Sequence, residues 1–412
     1  MPLNRIPNED ALRISQWGTQ AFRDTPVDPT YKMYGDFQVT ESQPVSETAE
    51  YSGSYFQDVE PTFGPWTFGG TYNQNLCYED FQILPRYLVK GGVVPVSDAE
   101  TVPGYDTTYS PSGNTDDLDV ASVEHQVPGL PELAEMVLFN DATISIDVDD
   151  ADAVWKFAGN LWLRKNDLIA ATTDTSTGGT TTTIVKTAAG WTINAFQGGY
   201  VEVLSGANLG EVVKIASNDA TTLTLANTLP NAIVSGVSFR ISGVFTAGIA
   251  DRTRERIAAP GTHMYIDDYP GGTIGTTEEL KWISASVTYS NNLSAKRFGP
   301  DVDYMSDKLG RGRVVVTGQI RKEFDTRAEV DKWKAKAKRR LRIEQLGSQI
   351  NASPVTNKRA RIDVFNLTWT DVTRDTRNTN LTRTFAFRGY QDPAQGGIPI
   401  RLSSKTLVSA LP

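Results

Sequence analysis

The fold is decided by the stretch that opens Leu280-Lys-Trp-Ile-Ser-Ala-Ser-Val-Thr-Tyr289, continues through Arg313-Val-Val-Val-Thr-Gly-Gln-Ile320 and Thr326-Arg-Ala-Glu-Val-Asp-Lys-Trp-Lys-Ala-Lys-Ala337, and ends near Leu346. In its first part Trp282, Ser284, Ser286 and Thr288 alternate with Ile283, Ala285, Val287 and Tyr289, the period of two that marks a half-buried strand. A polar connection over 290–311, punctuated by Gly299-Pro300 and Gly310, leads to a β-branched run that favours a second strand. The period then changes. Thr326 and Glu329 have capping-box spacing, and Val330, Trp333 and Ala337 follow at the spacing of a helix packed on a sheet. The segment reads as strand, long loop, strand, helix, strand.

The same order occurs earlier. Residues 31–40, with Met33, Tyr34, Phe37 and Val39, predict a strand; a loop spans 41–63; Pro65-Trp-Thr-Phe-Gly-Gly70 predicts the next strand. Leu76, Phe81, Leu84 and Leu88 form a helical stripe stopped by Gly91-Gly92, with Pro85 placed to kink or split it. Each copy ends in a strand pair. Val137-Leu-Phe-Asn-Asp-Ala-Thr143 resembles Asp363-Val-Phe-Asn-Leu-Thr-Trp369, and Trp155-Lys-Phe-Ala-Gly159 resembles Phe385-Ala-Phe-Arg-Gly389, with hairpin turns expected at 147–152 and 373–380. An internal duplication accounts for this order; two unrelated β-rich domains are the alternative.

Between the copies, residues 167–242 are poor in charge and rich in Thr, Gly, Asn and Ala, with short strands between turns, as expected of an inserted small all-β domain. The expected organisation is an N-terminal arm over 1–30, a first unit over 31–166, the insert over 167–242, a linker over 243–261 and a second unit over 262–412. A chain of 412 residues accommodates two or three domains, and its 39% hydrophobic and 22% charged content is that of a folded protein. Cys77, the one cysteine, rules out an intrachain disulfide and a thiolate metal site. No stretch has the length of a membrane span and the N-terminus lacks the apolar core of a signal peptide, so a soluble product of a reducing cytoplasm is expected, with no membrane partner. The net charge of -9 argues against a surface built to hold polyanions.

Catalytic signatures are sparse. His125 and His263 fall in different copies, and neither lies near a nucleophile elbow, a zinc pair or a phosphate loop. We therefore expect no enzyme, no cofactor and no metal. Asp147-Val-Asp-Asp-Ala-Asp152 is the sharpest acidic cluster, but a calcium loop needs Gly at its sixth position and Glu at its twelfth, where this chain has Asp152 and Ala158. A solvated hairpin tip is the expected reading, as for Asp116, Asp117 and Asp119. The basic run from Lys332 to Arg342 reads as a solvated helix face ahead of ion pairing with a neighbouring subunit or contact with phosphate.

With this order in place, Tyr31-Lys-Met-Tyr-Gly35, Pro65-Trp-Thr-Phe-Gly-Gly70, Tyr109-Ser-Pro-Ser-Gly113 and the two hairpins make the chain resemble the tail tube (major tail) proteins of long-tailed bacteriophages, in the branch with two fused tube-fold units. The resemblance implies a mainly β fold: two tandem β-sandwich or barrel units, each with a packed helix. It implies a homotrimeric ring of pseudo-sixfold symmetry, stacked into the virion tail, with tape measure, tail tip and terminator proteins as partners. Double-stranded DNA would pass without sticking. Ring-stacking loops would carry Glu41, Tyr51, Tyr55, Phe56 and Phe63 in the first unit and Arg297, Phe298, Asp301, Tyr304 and Arg311 in the second. Trp66, Phe68, Trp282, Ser284, Ser286, Val314 and Val316 would lie on inner-barrel strands, with the basic helix away from the bore. The rival readings are a baseplate or decoration protein and a carbohydrate-binding or hydrolytic β protein using Trp66, Trp155, Trp162 and Trp191.

Overall fold

The computed structural model describes the chain except residues 1–14, 21–26, 47–61, 100–101, 112–117, 127–130, 170–171, 244, 247–248, 250, 272, 297–307, 325, 353–354, 378–379, 410 and 412. Among the described residues the fold is mainly β, with α-helices only at Tyr78–Ile83 and Ala328–Lys334. Eight strands lie side by side in the order Asp36–Ser42, Thr67–Asn75, Lys156–Leu163, the second half of Pro131–Asp147, Trp282–Ser290, Val315–Glu323, Asn380–Gly389 and the second half of Val355–Arg377. Every neighbouring pair is antiparallel. The first four strands and the last four follow the same plan.

The repeat is legible in the backbone. In one unit Gly70 sits between Val39 and Leu161; in the other Gly318 sits between Val287 and Phe387. The two frames are 248 residues apart (318 − 70 and 287 − 39). A Cβ at Gly70 would lie 2.2 Å from the carbonyl oxygen of Gln38, and one at Gly318 would lie 2.2 Å from that of Ser286. Only glycine tolerates such an approach. At the same spacing Gly64 N donates to Pro44 O at 2.7 Å and Gly312 N to Asn292 O at 3.0 Å.

Each unit folds a second layer over one face of this sheet. Pro131–Asp147 turns out of the main sheet near Met136, whose φ is 54°, and its first half pairs with Val120–Gln126 and Lys165–Leu168. Val355–Arg377 does the same in the second unit, pairing with Lys338–Ala352 and Ile400–Thr406. One strand crosses between units: Val102–Tyr109, from the first, pairs with Ile400–Thr406 of the second. Large side chains fill the space between layers. Trp17, fully buried, stacks on Phe139 at 6.0 Å and meets Tyr72 edge-on at 5.4 Å; Trp369 packs on Phe385 at 5.3 Å in the other unit. Each such burial contributes about 1.5–3 kcal/mol.

Several expectations are corrected. Residues 1–30 are not all an arm: Ser15–Gln20 is a strand paired with Val120–Gln126, because Trp17 anchors it in the core. It occupies the place of His263–Asp268, again 248 residues on (263 − 15). The first helix does break at Pro85, passing into a 3-10 turn at Leu84–Arg86. The expected capping box is absent. Arg327 is the N-cap without a side-chain cap bond, and Glu329 is drawn instead to Arg339 (2.6 Å) and Trp369 Nε1 (3.1 Å). The second helix also stops early, at Lys334; Lys336 takes φ 52° and Lys338–Ala352 is a strand. The basic run is therefore split between helix and strand, and much of it is paired within the chain: Lys332 and Arg339 with Asp268, Arg342 with Asp363. The last hairpin is longer than its turn residues suggested, since the strand continues to Arg377.

The insert is a separate seven-stranded sheet, from Thr172 to Ser242, around Val201, Ile215, Leu223 and Phe239. Its stem closes where Gly243 N donates to Ile169 O at 2.6 Å. It starts later than residue 167, because Lys165–Leu168 belongs to the second layer of the first unit.

Candidate assembly edges

Within the eight-stranded sheet the two units meet at an internal seam, where residues 141–147 pair antiparallel with 284–290. On the core side Ala142 lies opposite Tyr289, Ile144 opposite Val287 and Ile146 opposite Ala285, all buried. On the water side Asp141 faces Ser290, Thr143 faces Thr288, Ser145 faces Ser286 and Asp147 faces Ser284. The Thr143 and Thr288 hydroxyls are hydrogen-bonded at 2.7 Å. Asn140, the extra residue of a β-bulge, closes the end of the seam by accepting from Leu293 N at 2.7 Å. Beside it, buried Asn291 donates to the carbonyls of Leu88 (2.7 Å) and Phe139 (3.0 Å).

Because the units join head to tail, the sheet ends in two unlike edges. Among the described residues, Asp36–Ser42 pairs only with Thr67–Asn75, and residues 371–377 pair only with the strand Asn380–Gly389. Gln38, Thr40, Glu41 and Ser42 are exposed on the first edge, while Phe37 and Val39 are half-buried against the core. On the second edge Asp371, Thr373, Arg374 and Asp375 are exposed and Val372 is half-buried. An unpaired strand presents a row of free donors and acceptors, which natural proteins cover or pair.

An ionic cluster fixes the angle between units. Lys358 Nζ, on the second unit's bent strand, lies 2.7 Å from Glu79 Oε1 on the first helix and 3.1 Å from Glu255 Oε2 on the connecting segment. Glu255 also accepts from Ser348 N at 2.7 Å. Next to it Arg254 binds the fully buried Asp80 at 2.5 Å, and the Arg252 guanidinium lies 3.3 Å over the Tyr31 ring. Burial pushes the Asp80 carboxyl above its ordinary range even with both arginines beside it. The connecting segment is thus clamped to the first unit. Cys77 sits in the same region, its thiol pushed up to about 11 by burial, which suits a packing residue rather than a nucleophile.

The residues singled out in the sequence fall in different places. Trp66 and Val314 lie just ahead of their strands, at equivalent positions (314 − 66 = 248). Ser284 and Ser286 line the water face, whereas Val316 is buried and Phe68 and Trp282 are half-buried against the core. Both long loops leave the sheet as two-stranded ribbons, Val45 opposite Phe63 and Leu293 opposite Arg311. Phe63 is 56% exposed. Glu41 accepts from Asn166 Nδ2 at 3.2 Å, and Arg311 donates to Asn291 Oδ1 and Tyr289 OH, both at 3.0 Å. Tyr51, Tyr55, Phe56, Arg297, Phe298, Asp301 and Tyr304 lie outside the described residues. At the acidic turn Lys156 pairs with Asp150, and Asp147 Oδ1 accepts from Asp149 N at 3.0 Å. Ser284 and Ser286 of the seam were singled out, but their partner strand 141–147 and the edge at 371–377 were not. Their signal was the recurrence of Asp-x-Thr at 141–143 and 371–373.

Comparison with known proteins adds two observations. The family described as "Phage conserved hypothetical protein BR0599" matches residues 194–244, which lie almost wholly in the inserted domain. No curated protein matches the chain. Among solved structures, a mutant of the Hcp1 protein from the E. coli EAEC 042 pathovar aligns over 35% of this chain and 96% of its own, at 12% identity and a TM-score of 0.20, too low to support any argument about architecture.

Proposed function

We propose that the chain is a structural virion protein of a bacteriophage whose copies close into rings and stack as a tail tube for genome delivery. The observation that carries this reading is the head-to-tail joining of two equivalent units along one sheet, which leaves two unlike open edges. A heterologous contact between such edges closes into a ring when the rotation permits and otherwise runs on as a filament. Three copies would supply six units. The phage family matched by the insert fits a virion setting.

The water face of the eight-stranded sheet suits the wall of a bore. It carries Ser, Thr, Asn and Gln, with acids such as Asp36, Asp141, Asp147 and Asp371. Lys156 and Arg321 on that face are paired with Asp150 and Asp375. Arg388, opposite Thr317 and Thr368, is exposed on the same face, so the wall offers duplex phosphates few fixed counter-charges. The helix Ala328–Lys334 packs on the opposite face, with Val330 buried and Trp333 against the core, so its lysines stand away from the proposed bore. The ribbons at Val45–Phe63 and Leu293–Arg311 would project toward adjoining rings, and tape measure, tip and terminator proteins would meet the ends of the stack.

Negative-stain electron microscopy of the purified chain across concentration, with light scattering for mass, tests this. Rings or hollow tubes built from three-chain discs are expected. A chain that stays monomeric at every concentration and salt level would overturn the reading.

A further inference from the structure

The internal seam is a worked example of how one unit's last strand pairs with the next unit's first strand. The duplication gives the rule for repeating it. Both strands that close a unit carry a bulge against their hairpin partner, between Phe139 and Asp141 in one unit and between Trp369 and Asp371 in the other. Aligning the bulges sets Asp371 in the place of Asp141 and Thr373 in that of Thr143 (371 − 141 = 373 − 143 = 230). On the partner side the offset of 248 sets Ser42 in the place of Ser290 and Thr40 in that of Thr288 (290 − 42 = 288 − 40).

Resting on the ring reading, we infer that residues 371–377 of one copy pair antiparallel with Asp36–Ser42 of the next copy, with Asp371 opposite Ser42, Thr373 opposite Thr40 and Asp375 opposite Gln38. The residue types agree with the template. Asp141 opposite Ser290 becomes Asp371 opposite Ser42, and the hydrogen-bonded pair Thr143 and Thr288 becomes Thr373 and Thr40. A shift of one residue would turn each strand's side chains to the wrong face. A shift of two would break both identities at once.

The two seams differ on their core side. Where the internal seam has Ile144 against Val287, the seam between copies sets Arg374 against Val39, and Thr376 replaces Ile146 opposite Phe37. The contact between copies is therefore less apolar than the one inside a copy, and a ring opens between copies rather than within one.

The test mixes two single variants, Thr40→Cys and Thr373→Cys, each first shown by microscopy under reducing conditions to assemble as the parent does. Directly opposed strand residues have Cα separations within disulfide reach. Oxidation of the mixture is expected to give a two-chain band, while Thr40→Cys mixed with Arg374→Cys, whose side chains would lie on opposite faces, gives none. The double variant Thr143→Cys/Thr288→Cys, closing within one chain, sets the reference rate. Rings that cross-link instead through Thr40→Cys with Asp371→Cys or Asp375→Cys would overturn the register and leave the ring reading standing. Loss of every cross-link in a chain that is also monomeric would remove both.

Discussion

The internal seam and the two open edges are the same structural position in two conditions, one joined within the chain and one exposed. Inside the chain, Ile144, Val287, Ile146 and Ala285 bury an apolar strip, and on the other face Thr143 and Thr288 share a hydrogen bond at 2.7 Å. At the open edge the equivalent strip is Val372, Arg374 and Thr376, and only Val372 is half-buried. A covalent connection lets the internal seam be as apolar as a core. The open edge at 371–377 carries charge instead, which discourages indiscriminate pairing.

That contrast can be broken by placing the same charge at both positions. Ile144→Asp buries an unpaired carboxylate and is expected to cost about 5 kcal/mol, whereas Arg374→Asp changes monomer stability by less than about 0.5 kcal/mol. Urea unfolding of each variant monomer measures this, and equal losses at both sites would show that the open edge is part of a core. The second test concerns the clamp that sets the units' mutual angle. Lys358→Met leaves Glu79 and Glu255 facing each other without a cation, at a cost of about 4 kcal/mol, and adding Glu79→Gln recovers part of it. A melting curve as stable as the parent's would show that the strand pairings join the units without help from the ionic cluster.

The glycines sharpen the comparison within the main sheet. Gly318→Ala meets both the Ser286 carbonyl oxygen at 2.2 Å and the Phe387 ring at 2.5 Å, in a strand flanked on both sides, and about 3 kcal/mol is expected. Gly70→Ala meets only the carbonyl at 2.2 Å, on a strand next to the open edge that can give way, and about 1 kcal/mol is expected. Differential scanning calorimetry should rank the two, and the reverse order would contradict the edge assignment.

A further difference separates the units by pH. Burial acts to raise the Asp267 carboxyl, but hydrogen bonds from Thr276 Oγ1 and from the amides of Gly275, Thr277 and Thr276 outweigh it and hold the group at about 2, below its ordinary 3.8. Thr19 takes the matching place in the first unit (267 − 19 = 248) and has no such titration. A depressed carboxylate stabilises the fold fully above its unfolded pKa and loses that contribution as pH falls through the folded one, so the window runs from about pH 4 down to about 2. Asp267→Asn should lower stability by about 2 kcal/mol at neutral pH and make no difference below pH 2. Chemical denaturation against pH checks the sign.

Much of this was legible in the chain itself because period-two alternation is a local property. Residues 282–290 announce a half-buried strand by themselves, and the recurring order of strand, long loop, strand and helix announces a repeat. The long loops, the hairpins, the split first helix and the all-β insert follow from similar short-range signals. The edges were harder, since nothing local distinguishes a strand with one neighbour from a strand with two. Ser15–Gln20 was hidden because a single tryptophan among polar residues has no period to read. The missing capping box was hidden because Glu329 exchanges its cap role for Arg339, a partner supplied by another strand.

The amino-acid order by itself determined the strand faces, the duplication and the absence of any familiar catalytic signature, since each depends on residues near one another in sequence. Only the tertiary structure decided which unit's edge is consumed in the internal seam, which edges remain open, and that Lys332, Arg339 and Arg342 of the basic run are paired within the chain. Those outcomes depend on pairings between segments far apart in sequence, and the energy of such pairings belongs to contacts that exist only once the chain has folded.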